Sequence, residues 1–476
     1  MRHSLVAVGV TITLASAAVA QTSIERFERQ LDQIYRDTRL RANPEVAAGQ
    51  RLLLDYGGFL GLSFFAIDDV QQKTHILRQY DLIGYARLNL DNAHELFLRA
   101  RTSYRDFNSG DSFDGEGDET IWPTVEQAYY RFDLARHLAA SRGQLTRNNV
   151  VFQGGRQFVY WANGLVLGQT LDAVRVDLTI DRFELQLLGG VTIDRTIDFD
   201  TSRPDFDDDT NRGFYGALAA VRLGRHRPFV YGLIQRDYND DDAVAIGPVE
   251  AKSEYNSFYI GAGINGSIGD RLLYGVEAVY EGGQGRSDVR FDPLTQTLQG
   301  QDEEDIQAAA LNFRLDYLLA DQRRSRLTGE LILATGDSDR LVSNSTLGGN
   351  APGTKDHSFN AMGLLNTGLA FAPSVSNVTV FRVGGSTFPL PTSASFSRLQ
   401  VGADVLLFGK MKSDGAIDEP TSDDWYLGVE PDIFLNWQVT SDVTVAVRYG
   451  VFFPGTAIEF DDSPRHFFFA GVTLAF

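Results

Sequence analysis

The stretch "RHFFFAGVTLAF" at 465–476 carries the reading of the fold. Side chains on an extended strand alternate between faces, so Phe476, Leu474, Val472, Ala470 and Phe468 share one face, and Ala475, Thr473, Gly471 and Phe469 the other. The first face is wholly apolar and the second mostly small. A half-buried strand of a soluble sandwich has the same pattern, so the remainder of the chain has to separate the two.

From about residue 50 onward the alternation recurs in segments of roughly ten to fifteen residues, and their connections alternate short and long. Short connections are "LDNAH" (90–94), "TIDR" (179–182), "GRHR" (224–227), "GDR" (269–271), "ADQRRS" (320–325) and "TSD" (440–442). Long ones span 107–123, 194–212, 239–254, 283–304, 338–372 and 412–423. Tight turns on one side and long loops on the other are the pattern of a meander crossing an outer membrane. Strands starting near 52, 75, 95, 124, 149, 166, 182, 213, 228, 255, 271, 306, 326, 374, 397, 424, 443 and 465 number eighteen. With both ends in the periplasm the count is even, and every short turn then follows an even-numbered strand. The price of that parity is that "SFNAMGLLNTGLAF" (358–371), which reads as a strand, must lie in a loop; sixteen and twenty strands are the alternatives. Lipid cannot satisfy an open sheet edge, so the sheet has to close, and 465–476 is expected to pair with the first strand. The terminal phenylalanine matches the C-terminal signature of bacterial outer-membrane proteins.

Composition agrees with an all-β transmembrane antiparallel up-and-down barrel. No apolar run is long enough for a helical span, while 46 glycines and 11% aromatic residues suit many strands and tight turns. Residues 1–20 read as a secretory signal peptide: Arg2 and His3 precede an apolar run, and "AVA" (18–20) has the form of a cleavage site. Residues 21–49 form an N-terminal periplasmic segment in which Ile24, Phe27, Leu31 and Ile34 mark a short amphipathic helix, an extension, a plug or a contact for a periplasmic partner. Residues 50–476 form the barrel, facing outer-membrane lipid and lipopolysaccharide. With 63 acidic against 43 basic residues and a net charge of −20, nucleic acid is an improbable partner. Acidic runs at 198–211, 239–243 and 301–305 read as solvated loops, with divalent-cation binding as the sharper alternative. There is no cysteine, paired-histidine spacing or phosphate loop, so no cofactor or metal is expected.

In such a barrel the apolar face meets lipid and the polar face the lumen. This assigns Arg99, Arg101, Arg105, Arg131, Arg175, Asp177, Arg182, Arg314, Arg382 and Arg448 to the interior, together with Glu430 and Asp432. Guanidinium forks bind carboxylates and phosphates, and interleaved acids would let an anion slide instead of sticking. The plain structural reading of each is a cross-strand ion pair that stiffens the wall. A hydrolase would need a serine with a positioned histidine; the adjacent His357 and Ser358 form a loop dipeptide that does not imply convergence, and catalysis is not expected.

Two stretches resemble the alginate-export family of outer-membrane porins: "GGRQFVYWANGLVLGQTLDAVRVD" (154–177) and "YLGVEPDIFLNWQVTSDVTVAVRYGVFFPGTAIEF" (426–460). The resemblance implies an eighteen-stranded barrel passing an anionic polysaccharide or oligosaccharide. It also implies conduit-lining roles for Arg156, Gln157, Arg175, Glu430, Asp432 and Arg448. Pro431 interrupts the Glu-x-Asp strand and points to a bulge or local edge there. The other reading of the same barrel is a general or small-anion diffusion porin.

Overall fold

The computed structural model describes residues 30–31, 33–34, 52–113, 115, 117–292, 297–340, 345, 349–459 and 462–476. The 1–20 leader and most of the 22–38 helix lie outside the described residues. Eighteen strands form one sheet. They are β1 Leu52–Asp68, β2 Thr74–Leu90, β3 His94–Phe107, β4 Glu119–Asp133, β5 Asn149–Tyr160, β6 Gly168–Ile180, β7 Phe183–Thr192, β8 Arg212–Val221 and β9 His226–Asp237, followed by β10 Tyr255–Ile268, β11 Leu272–Arg286, β12 Glu303–Leu318, β13 Arg326–Ala334, β14 Val378–Thr387, β15 Leu399–Lys410, β16 Tyr426–Gln438, β17 Val443–Pro454 and β18 Arg465–Ala475. Neighbours in sequence pair antiparallel, and β18 closes on β1 from Phe59↔Ala475 to Ile67↔Phe467.

The closing strand keeps its expected faces. Val472, Leu474 and Phe476 are exposed on the outside beside Leu60 and Leu62 of β1. Phe467 and Phe469 are buried on the inside, where Phe469 packs against Phe65 with ring centroids 4.9 Å apart. In water such an outer surface would be a liability; in lipid it is the solvated face.

Most even-to-odd connections are the tight ones expected; β4–β5 and β14–β15 (388–398) are longer, and two odd-to-even connections, 69–73 and 161–167, are also short, against the expected rule. Between β4 and β5 lies α1, Leu134–Arg142, started by the Asp133 carboxylate accepting from the Arg136 N–H and ended at Gly143 in the left-handed conformation (φ 64°). The long outer connection 335–377 contains 358–371, as parity demanded, and turns into the barrel. There Phe359, Met362, Leu364, Leu369 and Phe371 are buried, and Phe371 stacks on Phe452 of β17 at 4.2 Å. These side chains give 358–371 its strand-like apolarity: they face the barrel's inner wall instead of lipid. The ladder between β16 and β17 lapses at Glu430 and Pro431, where proline offers no N–H.

Candidate functional site

The inward loop divides the lumen. It is clamped by Glu430, whose carboxylate accepts from the backbone N–H groups of Leu369, Ala370 (2.9 Å) and Phe371 (2.7 Å). It also meets the short connection 161–167, where the Gly168 N–H donates to the Met362 carbonyl at 2.8 Å and the Leu364 N–H to that of Gly164 at 2.8 Å. From the N-terminal segment, Leu31 and Ile34 are buried, and Gln33 donates to the Leu365 carbonyl at 2.5 Å. Farther out, Arg340 and Asp356 pair within the loop, both nearly inaccessible. Burial works against the Arg340 charge, but the adjacent Asp356 carboxylate outweighs it and holds the guanidinium above its ordinary pKa.

Two cavities flank the loop. The first, about 570 Å³, is walled by β10 to β17 and carries Arg314, Arg326, Arg382 and Arg448 against Asp316, Glu330, Asp404 and Asp432. Asp316 receives Arg314 at 3.1 Å and Arg326 at 2.8 Å, Arg382 pairs with Glu330, and Arg448 donates to Asn436 at 2.7 Å. The second, about 740 Å³, lies between β3–β6 and the loop, with Arg99, Arg101, Arg156 and Arg195 against Glu126 and Asp194. Arg99 pairs with Glu126 at 2.5 Å, and Arg101 with Asp81 at 3.0 Å. Isolated ions could not be held in a dry core, and here every arginine named has either a carboxylate or water-accessible space.

The fourteen sequence-assigned positions therefore separate into groups. Arg99, Arg101 and Arg156 border the larger cavity; Arg314, Arg382, Asp432 and Arg448 border the smaller. Arg105 faces inward toward Glu119 at 3.2 Å. Arg131 and Arg175 pair with Asp133 (3.7 Å) and Asp177 (3.1 Å) in the lower half of the wall. Three positions depart from a lining role. Arg182 sits in the β6–β7 turn beside Asp181, with its side chain 60% exposed, because the strand begins one residue later. Gln157 is buried and donates to the Ala173 carbonyl at 2.9 Å. Glu430 is fully buried as the loop clamp. Sequence reasoning placed Asp316 beside Arg314 but missed Arg326, which alternation could have supplied, and Glu126, which turns inward only because the β3–β4 register shifts between Gln127 and Val125; it could not have supplied the loop residues.

The acidic run at 198–211 is divided: Asp198 and Asp200 are buried, whereas Asp205, Asp208 and Asp209 are exposed. Asp198 receives Arg212 at 2.9 Å and Arg203 at 3.4 Å, and Arg203 reaches Asp241 at 2.9 Å. Among the described residues no cluster of three or more His, Asp or Glu is arranged to hold a metal ion. His357 turns its ring to the Gln307 carbonyl at 2.9 Å, away from the buried Ser358.

No protein-family model and no curated protein matches the chain. Among solved structures it is similar to OccAB3 of Acinetobacter baumannii, with a TM-score of 0.54 and 9% identity over 89% of this chain and 99% of that one. It is also similar to OccK1 (OpdK) of Pseudomonas aeruginosa, with a TM-score of 0.50 and 12% identity over 89% of this chain and 98% of that one. Both are outer-membrane porins, and the likeness extends to the fold. It also corrects the alginate-export resemblance: the neighbours sharing the barrel are Occ porins, and the motifs at 154–177 and 426–460 are strand-and-turn segments of β5–β6 and β16–β17 that any such barrel requires. The chain is an eighteen-stranded β-barrel of the bacterial outer membrane with a porin fold.

Proposed function

We propose that the protein is a passive diffusion channel for small solutes, preferring those with an anionic group. The observation that carries this reading is the loop segment 358–375 inside the barrel, which leaves compartments of about 570 and 740 Å³ in place of a wide conduit. Compartments of that size fit small molecules, not a polymer in transit. Across the two, eight arginines stand against six carboxylates, and the excess lies in the larger cavity, which carries four against two. Arginines already engaged by acids offer a passing carboxylate an exchange of partners, a weak and multiple binding that permits release.

The test is planar-bilayer recording under a salt gradient. Wild-type protein should show a reversal potential on the anion side. The double substitution Arg314→Gln and Arg326→Gln should move it toward cations, because Asp316 then loses both cationic partners and keeps only the Thr328 hydroxyl; these two side chains are 41% and 39% exposed, so the fold should tolerate the change. Cation selectivity in the unmodified protein would overturn the preference.

A further inference from the structure

The wall of the barrel is not uniformly sealed. β4 and β5 pair only from Asp133↔Val151 to Ala128↔Arg156, yet β4 runs on to Glu119, and β5 runs on to Tyr160, paired there with β6 alone. Residues 119–127 of β4 thus have a ladder on the β3 side and none to β5. The sequence is built for this parting. Pro123 has no N–H to give a ladder and suits a strand edge. Gly155, at φ 122°, lies where a Cβ would stand 2.2 Å from the Ala128 carbonyl oxygen, so the strands touch at glycine and then splay.

The parting lies at the height of the lipid. Val125 is opposite Ala100, between the outward Leu98 and Tyr104, and Trp122 is 73% exposed on the outside. Unpaired backbone at that depth is tolerated only where it borders a cavity or protein groups. Here Arg156 spans the parting: its guanidinium takes both Asp172 carboxylate oxygens at 2.8 Å and donates to the Val125 carbonyl at 3.1 Å. Behind it lies the 740 Å³ cavity, cationic at Arg99 and Arg101 and apolar at Phe158, Ile193 and Met362.

We propose that the β4–β5 seam is a lateral portal between this cavity and the outer leaflet, gated by Arg156 and taking amphiphilic anions: a carboxylate on an unbranched apolar tail. The cavity supplies each half of that ligand with a matching surface, and the parting opens onto the phase in which such a tail dissolves. Asp172, on the neighbouring β6, holds the Arg156 guanidinium in the orientation that reaches the Val125 carbonyl across the seam, and an incoming carboxylate takes the place of Asp172 on the guanidinium fork and draws it off Val125. The inference goes beyond the channel reading and does not depend on its anion preference.

The test uses full-length protein in nanodiscs with dodecanoate carrying a photoreactive diazirine at its tail, mapped by mass spectrometry. Labelling is expected on 122–126 and around Phe158, competed by dodecanoate and not by acetate or dodecanol. Arg156→Ala should reduce it about tenfold, the loss of one charge-assisted contact, and Arg156→Lys should reduce it less. Phe158→Glu, which spoils the apolar half, provides a second variant, and heat-modifiable gel mobility verifies folding of each. Labelling confined to the cavity walled by β10 to β17, or equal labelling by a dodecylammonium probe, would overturn the portal. The reversal potential of the same samples reads the channel separately, so either reading can fail alone.

Discussion

Where β18 meets β1, nine register pairs run from Phe59↔Ala475 to Ile67↔Phe467, the Gly58 and Phe476 backbones exchange two further hydrogen bonds, and the rings of Phe65 and Phe469 lock the inner side. Where β4 meets β5, pairing stops after six pairs, and the unpaired stretch beyond them is met by side chains alone, Arg156 at the Val125 carbonyl and Arg195 at Glu119 (3.9 Å). Both seams sit in one sheet and face one lipid phase. The difference is that the first seam is closed by backbone, whereas the second is closed by side chains, which on the portal proposal makes it a joint that a competing anion loosens.

The largest effect is expected from removing 465–476, which leaves β1 and β17 as open edges in lipid. No heat-modifiable, membrane-inserted form should be recovered, since each unsatisfied backbone group costs several kcal/mol. Next comes Arg340→Ala in the loop 335–377, where its partner Asp356 lies against the outer end of β12. It strands Asp356 in a nearly inaccessible site, a change costing about 3–5 kcal/mol for buried pairs. Protease cleavage within 340–357 and a raised, noisier conductance should report it, while the closing seam stays intact.

Gly58→Val probes the closing seam itself. A Cβ there would lie 2.6 Å from the Phe476 ring and 2.9 Å from the Ile83 carbonyl oxygen, and overpacking of this kind costs about 1–3 kcal/mol. Its thermal midpoint should fall further than that of Arg156→Ala. Arg156 and Asp172 are 25% and 45% exposed, so removing the bridge should cost at most about 1 kcal/mol. If Arg156→Ala unfolds the barrel, the joint is a structural staple and the contrast between the seams fails.

The smallest effect concerns the turn that tops the closing seam. The Asp69 carboxylate accepts from the N–H groups of Gln71 (2.8 Å) and Lys73 (2.9 Å) and meets His75 Nε2 at 3.0 Å. Burial alone would raise its pKa; the His75 hydrogen bond and the two backbone donors outweigh burial and leave it below the ordinary carboxylate value. A lowered folded pKa means that its contribution is complete above the unfolded value of about 3.9 and is lost as pH falls through the folded one. Amide exchange at Gln71 and Lys73 should therefore accelerate on acidification below pH 4 in the wild type and be already fast, without that step, in Asp69→Ala.

Much of the barrel is written locally. Period-two alternation identifies the strands, and turn residues at "LDNAH" and "GDR" mark the near side, because lipid on one face and water on the other impose the same rule on every strand. Parity places 358–371 in a loop even though its composition reads as strand. Alternation also puts Arg99, Arg314 and Arg382 on the inner face. It is silent on depth and distance, however, and cannot tell that Glu430 would cap three N–H groups of a loop some sixty residues earlier.

The sequence by itself determined an outer-membrane barrel and the inward face of most arginines, since each follows from neighbours on one strand and a uniform solvent on either side; it favoured eighteen strands over sixteen or twenty, and the closed sheet fixed the count. The tertiary structure alone decided which arginines share a cavity, how far the loop segment 358–375 narrows the lumen and where β4 parts from β5. Those features arise from contacts between strands and loops far apart in the chain, for which no local periodicity exists.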